Sequence, residues 1–142
     1  MTGRPIDIGT MRGSDEREAR SLSAPILRFE LSAESARLRA ERQYIEGDRN
    51  ACTLTKVDWF RLVLVALHAG ATLDEADQNG SIALPVLEGR VTVRIGDDTV
   101  DLGERGVCVV APGYPWTAVA VDDSLLLLHP AWPPAPGSSL TS

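Results

Sequence analysis

The chain has 142 residues, of which 44% are hydrophobic and 5% aromatic, which is enough apolar material for one folded domain with its own core. Its formal net charge is −6. Residues 1–46 hold eight basic and eight acidic residues, so residues 47–142, with six basic and twelve acidic, carry all of the net charge. Because nucleic acids and anionic membranes bind basic surfaces, this balance argues against both as partners.

Nothing in the sequence resembles a membrane span or a secretion signal. The longest apolar stretch, Leu62 to Leu67, is far too short to cross a bilayer. The N-terminal region contains acidic residues and lacks the apolar core of a signal peptide. Cys52 and Cys108 stand alone, without a C-x-x-C pairing. We therefore expect a cytoplasmic protein with two reduced thiols.

Two terminal segments are predicted to lie outside the folded domain. Residues 1–24 mix Gly, Ser, Arg and acidic residues with almost no apolar content, which predicts a disordered or loosely attached tail. Residues 132–142 combine prolines with a Ser/Thr end and cannot continue a sheet, so they are predicted to form a C-terminal tail.

Residues 25–50 are predicted to form an N-terminal segment with one helix, from about Ala33 to Glu46. Ser32 is the expected N-cap, and Gly47 is a residue type that often ends a helix. A single narrow apolar stripe of this helix carries Leu31, Leu38 and Ile45. Such a stripe indicates a helix that lies on the outside of a sheet or at a dimer contact.

Residues 51–131 are predicted to form a β-barrel domain. The segment from Arg61 to His68 is almost continuously apolar, as expected of a strand buried on both faces. Short strands with turn residues every eight to twelve positions are typical of a sandwich or a barrel. The predicted strands are Cys52–Val57, Arg61–His68, Ser81–Glu88, Val91–Ile95, Thr99–Leu102, Val107–Val110, Thr117–Val121 and Leu125–Leu128.

The spacing of three glycines resembles the two motifs of small single-domain cupins. Aligned at Gly70, the motif G-x5-H-x-H-x3-E-x6-G closes on Gly89, within an apparent hairpin. The motif G-x5-P-x-G-x2-H-x3-N places its middle glycine on Gly113, although its opening glycine is replaced by Arg105. The resemblance covers roughly residues 52–130 and implies a mainly β, cupin-type jelly-roll barrel with one N-terminal helix.

The resemblance also implies four metal-ligand positions, and none of them holds the expected ligand. Ala76 and Gln78 stand at the two histidines of the first motif, Ile82 at its glutamate, and Trp116 at the histidine of the second motif. Alanine and isoleucine cannot coordinate a metal, and a neutral amide is a weak ligand for transition metals. We therefore expect no metal site and no cofactor, and the metal-dependent activities of the family are not inherited.

Trp116 has two interpretations that the sequence leaves open. It is predicted to point into the barrel, where it would either line an apolar pocket for a small organic molecule or fill a barrel without a ligand. In the first case the expected ligand-binding residues are Trp116, Tyr114, Ala76, Gln78, Ile82 and His68. Trp59 would be a second wall of the pocket or the start of a core strand.

Other residues capable of chemistry give weaker signals. Asp74, Glu75 and Asp77 crowd one loop and are interpreted as a solvated acidic cluster rather than a general base. His68 and His129 each end a predicted strand, which is more typical of an edge residue than of a catalytic one. No catalytic residue is identified, and whether the protein is an enzyme stays open.

Three hypotheses follow. The leading one is a metal-independent cupin that binds a small organic molecule in its barrel. The second is a structural or interaction protein with a filled barrel. The third is a metal-free isomerase, cyclase or lyase that uses His68 or an acidic residue. Small cupins commonly form dimers by pairing sheets across a two-fold axis, so the resemblance also implies a homodimer. The slight apolar stripe of the helix leads us to expect residues 25–46 near its interface.

Overall fold

The structure is a computed structural model that describes residues 25–74 and 79–133, together with the backbone of residues 6–7 and 20–21. It is mainly β, as predicted. The helices are α1 (Leu31–Ala40) and α2 (Arg42–Glu46). The strands are β1 (Ile6–Asp7), β2 (Arg20–Ser21), β3 (Arg49–Val57), β4 (Phe60–Leu67), β5 (Thr72–Asp74), β6 (Ser81–Glu88), β7 (Val91–Ile95), β8 (Asp98–Leu102), β9 (Val107–Val110), β10 (Trp116–Ala120) and β11 (Ser124–Ala131).

The strands form two sheets that pack face to face. One has the order β1-β5-β10-β7-β8, and the other has the order β2-β3-β4-β11-β6-β9. Most neighbours are antiparallel, while β1 and β2 add parallel pairs at one edge of each sheet. The two sheets are not joined into a closed barrel, so the expected barrel is corrected to a sandwich. No helix among the described residues is long and apolar enough to span a membrane.

All eight predicted strands are present, and their ends differ from the predicted ends by at most three residues. The sequence did not reveal β5, because its three residues are too few to show an alternating pattern. Most of residues 1–24, and residues 134–142, lie outside the described residues. The two predicted tails therefore remain predictions, while β1 and β2 pair with β5 and β3.

The main core lies between the two sheets and is built by residues that alternate along each strand. In β6, for example, Ile82, Leu84 and Val86 are buried while their neighbours are partly exposed. A period of two puts one set of side chains on the inner face and the other on the outer face. The buried members of this core are Ala51, Val63, Val65, Leu67, Ala71, Leu73, Ile82, Leu84, Val86, Val91, Val93, Leu102, Val110, Trp116, Ala118, Ala120, Leu126 and Leu128.

Strand β4 is buried on both faces, as its continuous apolar sequence predicted. Its alternate residues Leu64 and Ala66 belong to a second core on the outer face of the six-stranded sheet, beneath the helices. The buried members of this second core are Leu38, Tyr44, Cys52, Leu54, Leu64, Ala66 and Leu125. The helices therefore cover the half of this sheet that contains β3 and β4.

The single predicted helix is in fact two helices, broken at Glu41, whose backbone is extended (φ −82°, ψ 152°). The buried side-chain amide of Asn50 in β3 donates to the carbonyl of Leu38 at 3.0 Å and to Oε1 of Glu41 at 2.8 Å. The first bond satisfies the Leu38 carbonyl, which a continuous helix would bond internally, and the second fixes the side chain of Glu41 at the break. Because the break turns α2, Tyr44 is buried and Ile45 is 65% exposed, contrary to the predicted stripe.

The ends of the helical region were predicted in part. The N-cap position is Glu30 rather than Ser32, because α1 begins two residues earlier than predicted, at Leu31. The second helix ends at Glu46 with Gly47 as its C-cap, as expected. The backbone of Gly47 is not left-handed; a Cβ there would lie 2.6 Å from the carbonyl oxygen of Gln43, so close approach explains the glycine.

The apparent hairpin at Gly89 is a crossing between the sheets. Strand β6 belongs to the six-stranded sheet and β7 to the five-stranded sheet, so the two strands do not pair. Gly89 has φ +88°, and a Cβ there would overlap the carbonyl oxygen of Asp123 and the side chain of Ser124. The glycine is required because the chain passes directly over the start of β11 as it changes sheets.

Arg105 stands where the family motif has a glycine, and it is the one described non-glycine residue with a positive φ, +70°. Its backbone N–H donates to the carbonyl of Val86 at 2.8 Å, which ties the turn before β9 to β6. The fold thus retains the left-handed conformation at this position although the residue has a side chain that disfavours it.

We predict that Arg105→Gly raises the free energy of unfolding by about 1 kcal/mol, because it relieves the left-handed strain and retains the backbone bond. Arg94→Gly is the control, since Arg94 lies within β7 and a glycine there should destabilise by a similar amount. Urea unfolding of the three proteins measures both effects. Equal destabilisation by both substitutions would contradict the assignment of strain at Arg105.

Candidate functional site

Two of the four substituted metal positions lie in the core between the sheets. Ile82 is 4% exposed and Trp116 is 3% exposed, and both belong to the main core. Trp116 opens β10, where it pairs with Ile95 of β7. Ala76 and Gln78 lie outside the described residues, in the gap between β5 and β6. The predicted inward position of Trp116 is therefore observed, with Ile82 in the same core.

The alternation of β10 explains why Trp116 points inward. Ala118 and Ala120 follow it at intervals of two and are also buried, whereas Val119 is 39% exposed on the opposite face. The two alanines are the smallest side chains that this face could carry next to an indole. A large aromatic residue and two small residues thus share one inward-facing row, a combination that fills space without overpacking.

The residues at these positions do not fit a metal ion. Ile82 has no donor atom, and the indole N–H of Trp116 donates hydrogen bonds but offers no lone pair to a metal. Within residues 25–74 and 79–133, no three His, Cys, Asp or Glu side chains lie together as a metal site requires. The donor set therefore disagrees with the metal chemistry that the cupin motifs imply.

Tyr114, Trp59 and His68 lie away from this interior. Tyr114 is 59% exposed in the loop before β10, and Trp59 is 49% exposed in the turn between β3 and β4. Trp59 therefore precedes the core strand β4, which begins at Phe60. His68 follows β4, four residues after Leu64, so its side chain lies on the same face of the sheet as that of Leu64. That face is the one covered by the helices, and it is not the face that lies against the other sheet.

His68 is held tightly against α2. Its ring stacks on Tyr44 with centroids 3.9 Å apart and an angle of 19° between the planes. Its Nε2–H donates to the backbone carbonyl of Tyr44 at 2.7 Å, while Nδ1 lies 3.7 Å from Oδ1 of Asp123. That carboxylate also accepts the N–H of Ala69 at 2.9 Å. The histidine therefore joins α2 to the end of the sheet, a structural role.

Burial shifts the pKa values of Tyr44 and Cys108. Burial raises the pKa of the Tyr44 hydroxyl, with the charge of Asp123 adding to the effect. Burial also raises the pKa of the Cys108 thiol, which packs against the main core, so its surroundings favour the protonated form.

A second region of interest is the part of the six-stranded sheet beyond the helices. We use "the uncovered face" for the outward side chains of β11, β6 and β9 there. They are Ala83, Pro85, Val107, Val109 and His129. Val107 is 56% exposed and Val109 is 71% exposed. Burial lowers the pKa of His129, which favours its neutral form, and the other four side chains have no ionisable group.

Sequence reasoning did not identify the uncovered face. The strand Val107–Val110 is apolar at every position, so both of its faces carry apolar side chains. The outward face of an antiparallel strand normally carries polar residues, so the absence of polar residues here was the available signal for an exposed apolar face. Which half of the sheet the helices cover depends on the break at Glu41, and the sequence did not reveal that break.

Solved structures with this fold are found among bacterial cupins. An RmlC-like cupin of Desulfovibrio desulfuricans superposes with a TM-score of 0.56 and 25% identity, over 66% of this chain and 91% of that chain. A cupin superfamily protein of Desulfitobacterium hafniense gives 0.57 and 16%, over 60% and 78%. A conserved protein of unknown function from Streptococcus pyogenes gives 0.58 and 22%, over 61% and 76%.

These likenesses establish the fold. The chain is a small domain with the fold of the cupin superfamily, and the resemblance inferred from Gly70, Gly89 and Gly113 is confirmed. No protein-family model matches the sequence, and no curated protein matches it. The proteins that share the fold are too distant to assign an activity.

We predict that the protein, purified without chelators and with any affinity tag removed, carries no stoichiometric transition metal. The physical reason is that Ile82 and Trp116 supply no metal-binding atom at two of the four positions, and Ala76 supplies none at a third. Elemental analysis against protein concentration measures the ratio. A ratio near one metal per chain would contradict the prediction.

Proposed function

We propose that this domain is a metal-independent cupin-fold interaction module, with a filled interior and a protein-binding surface on its outer sheet face. The observation that carries the proposal is the burial of Trp116, which is 3% exposed and surrounded by the apolar side chains of the main core. A tryptophan that lined an empty pocket would expose part of its ring to solvent. This one contributes to packing instead.

The chemistry of the interior supports the same proposal. The buried members of the main core are all apolar, and the partly buried Cys108 is kept neutral by its raised pKa. No carboxylate, imidazole or amine side chain is buried among the described residues, whose buried polar side chains are Ser35, Asn50, Thr53, Thr55 and Ser124. His68 is engaged by Tyr44 on the other side of the sheet, so the hypothesis of a metal-free enzyme that uses His68 gains no support from this geometry.

The exposed surface supports the second half of the proposal. Val107 and Val109 expose more than half of their surface on adjacent outward positions of one strand. Large exposed apolar groups that lie next to one another are typical of interaction sites, whereas single exposed residues are common everywhere. The uncovered face meets this criterion, and its half-buried members continue the patch across β6 and β11.

A second candidate function is the binding of a small apolar or planar organic molecule beside Trp116. The observation in its favour is Tyr114, which is 59% exposed two residues before Trp116 in a loop with Gly113 at φ +90°. An apolar interior with aromatic side chains near its end is what such a ligand would need. This candidate requires the packing around Trp116 to open.

We predict that Trp116→Ala lowers the free energy of unfolding by about 3–5 kcal/mol, because it removes a fully buried ring from a packed core. Trp59→Ala is the matched control, since Trp59 is 49% exposed and its removal should cost less than about 1 kcal/mol. Urea unfolding gives both values. Thermal melts with a library of small aromatic and apolar compounds then test both proteins for stabilisation.

The expected result is a full-size loss for Trp116→Ala and no compound that raises the melting temperature of the wild type. A compound that stabilises the wild type but not Trp116→Ala would overturn the filled interior and support the small-molecule candidate. A loss close to that of Trp59→Ala would also contradict the filled interior, because a ring lining an open pocket contributes little to packing.

A further inference from the structure

We infer that the edge of β9 binds an extended, basic segment of another protein, which adds to the six-stranded sheet as a further strand. This inference rests on the proposed function, and it names the chemistry of the partner and the way in which it binds. Among the described residues, β9 is the last strand of its sheet, with β6 on one side and no strand on the other. An open edge of this kind presents backbone donors and acceptors that an extended chain can bond.

Hydrogen bonds near the end of β6 show which of its residues face β9. The N–H of Val86 donates to the carbonyl of Gly106 at 2.8 Å, and the carbonyl of Val86 accepts the N–H of Arg105, also at 2.8 Å. Both backbone groups of Val86 therefore point to the β9 side. Successive residues of a strand turn these groups to opposite sides, so Pro85, which has no N–H to donate, faces away from β9.

The register then places the open backbone groups of β9 at two valines. Leu84 has the orientation of Val86 and pairs with Cys108, so Cys108 bonds to β6. Val107 and Val109 alternate with Cys108, and their N–H and C=O groups therefore point away from β6, along the open edge. Their side chains are also the most exposed of the uncovered face. The same two residues thus offer both backbone bonds and apolar contacts to one added strand.

The charge around this edge favours a basic segment. Strand β8 is the last strand of the other sheet, and residues 103–106 join it to β9, so the ends of the two edge strands adjoin. Residues 97–110 contain four acidic residues and one basic residue, a net charge of −3. The four acidic residues are all exposed: Asp97, Asp98, Asp101 and Glu104. Within residues 25–74 and 79–133, none of them forms an ion pair. Lysine and arginine side chains of an incoming strand are attracted to this region, and acidic ones are repelled.

The same charge disfavours a second copy of the chain at this edge, because pairing β9 with β9 would bring two acidic regions together. Since β9 has four residues, a segment of about six extended residues, roughly 20 Å long, is enough to cover the edge. Few backbone bonds form over this length, and each contributes little net free energy in water. The expected dissociation constant of an isolated peptide is therefore about 0.1–1 mM.

NMR titration of the full chain, labelled with nitrogen-15, tests the inference. The probe is a capped synthetic peptide that alternates valine and lysine over about six residues. The amide resonances of Val107 and Val109 should move most, and both amides should exchange more slowly with deuterated water, because each N–H gains a hydrogen bond. The amide of Cys108 is the internal control, since it already bonds to β6. A peptide that alternates valine and glutamate should bind at least about tenfold more weakly.

Val109→Pro removes one N–H from the open edge and keeps the bonds between β6 and β9, a position at which an edge strand tolerates proline. It should raise the dissociation constant of the valine–lysine peptide about fivefold or more, the effect of one lost hydrogen bond. Val109→Thr is the matched control, since it keeps the N–H and the β-branched shape, and it should bind within about twofold of the wild type. A peptide methylated on every backbone nitrogen makes the same test on the wild type, and it should not bind.

The outcomes separate this inference from the function on which it rests. Unchanged binding by Val109→Pro or by the methylated peptide would overturn strand addition and leave a protein-binding face in place. No resonance shift with either charged peptide, or tighter binding of the glutamate peptide, would overturn the basic partner and leave the test at Trp116 unaffected. Slow exchange of Val107 and Val109 before any peptide is added would also overturn the inference. In that case the edge is already occupied, by a second copy if dilution restores fast exchange and by this chain itself if it does not.

Discussion

Burial of the six-stranded sheet on both faces is the constraint on which the rest of the structure depends. Its inner face packs against the other sheet, and half of its outer face packs against two short helices. Strand β4 contributes to both cores, so its alternate residues hold the two layers together. Neither helix is long enough to be stable alone in water, and both depend on this sheet for their burial.

This constraint also determines where the protein can interact with other molecules. Trp116 is buried between the sheets, at a position that the family motif gives to a metal-binding histidine. On the outer face, the cover provided by the helices stops short of β9, where Val107 and Val109 remain exposed. The proposal of an interaction module rests on these two observations, the buried Trp116 and the exposed valines of β9.

The sequence predicted the strands well because their signals are local. Strand β6 was predicted to the residue, since alternation between Ser81 and Glu88 depends only on neighbours in the chain. The break at Glu41 could not be predicted, because it depends on Asn50, a residue of another element that bonds to the end of α1. The sequence indicates that His68 and Leu64 share one face of the sheet, because they are an even number of residues apart. It does not indicate which face the helices cover, because that depends on contacts between distant parts of the chain.

The most direct test of the filled interior is the fluorescence of Trp116 alone, in a protein with Trp59→Phe and Trp132→Phe that retains the wild-type circular dichroism. A ring that is 3% exposed in an apolar core should emit at short wavelength and resist quenching by acrylamide until the protein unfolds. Emission at the wavelength of solvated indole, with quenching as efficient in the native state as in urea, would contradict the account.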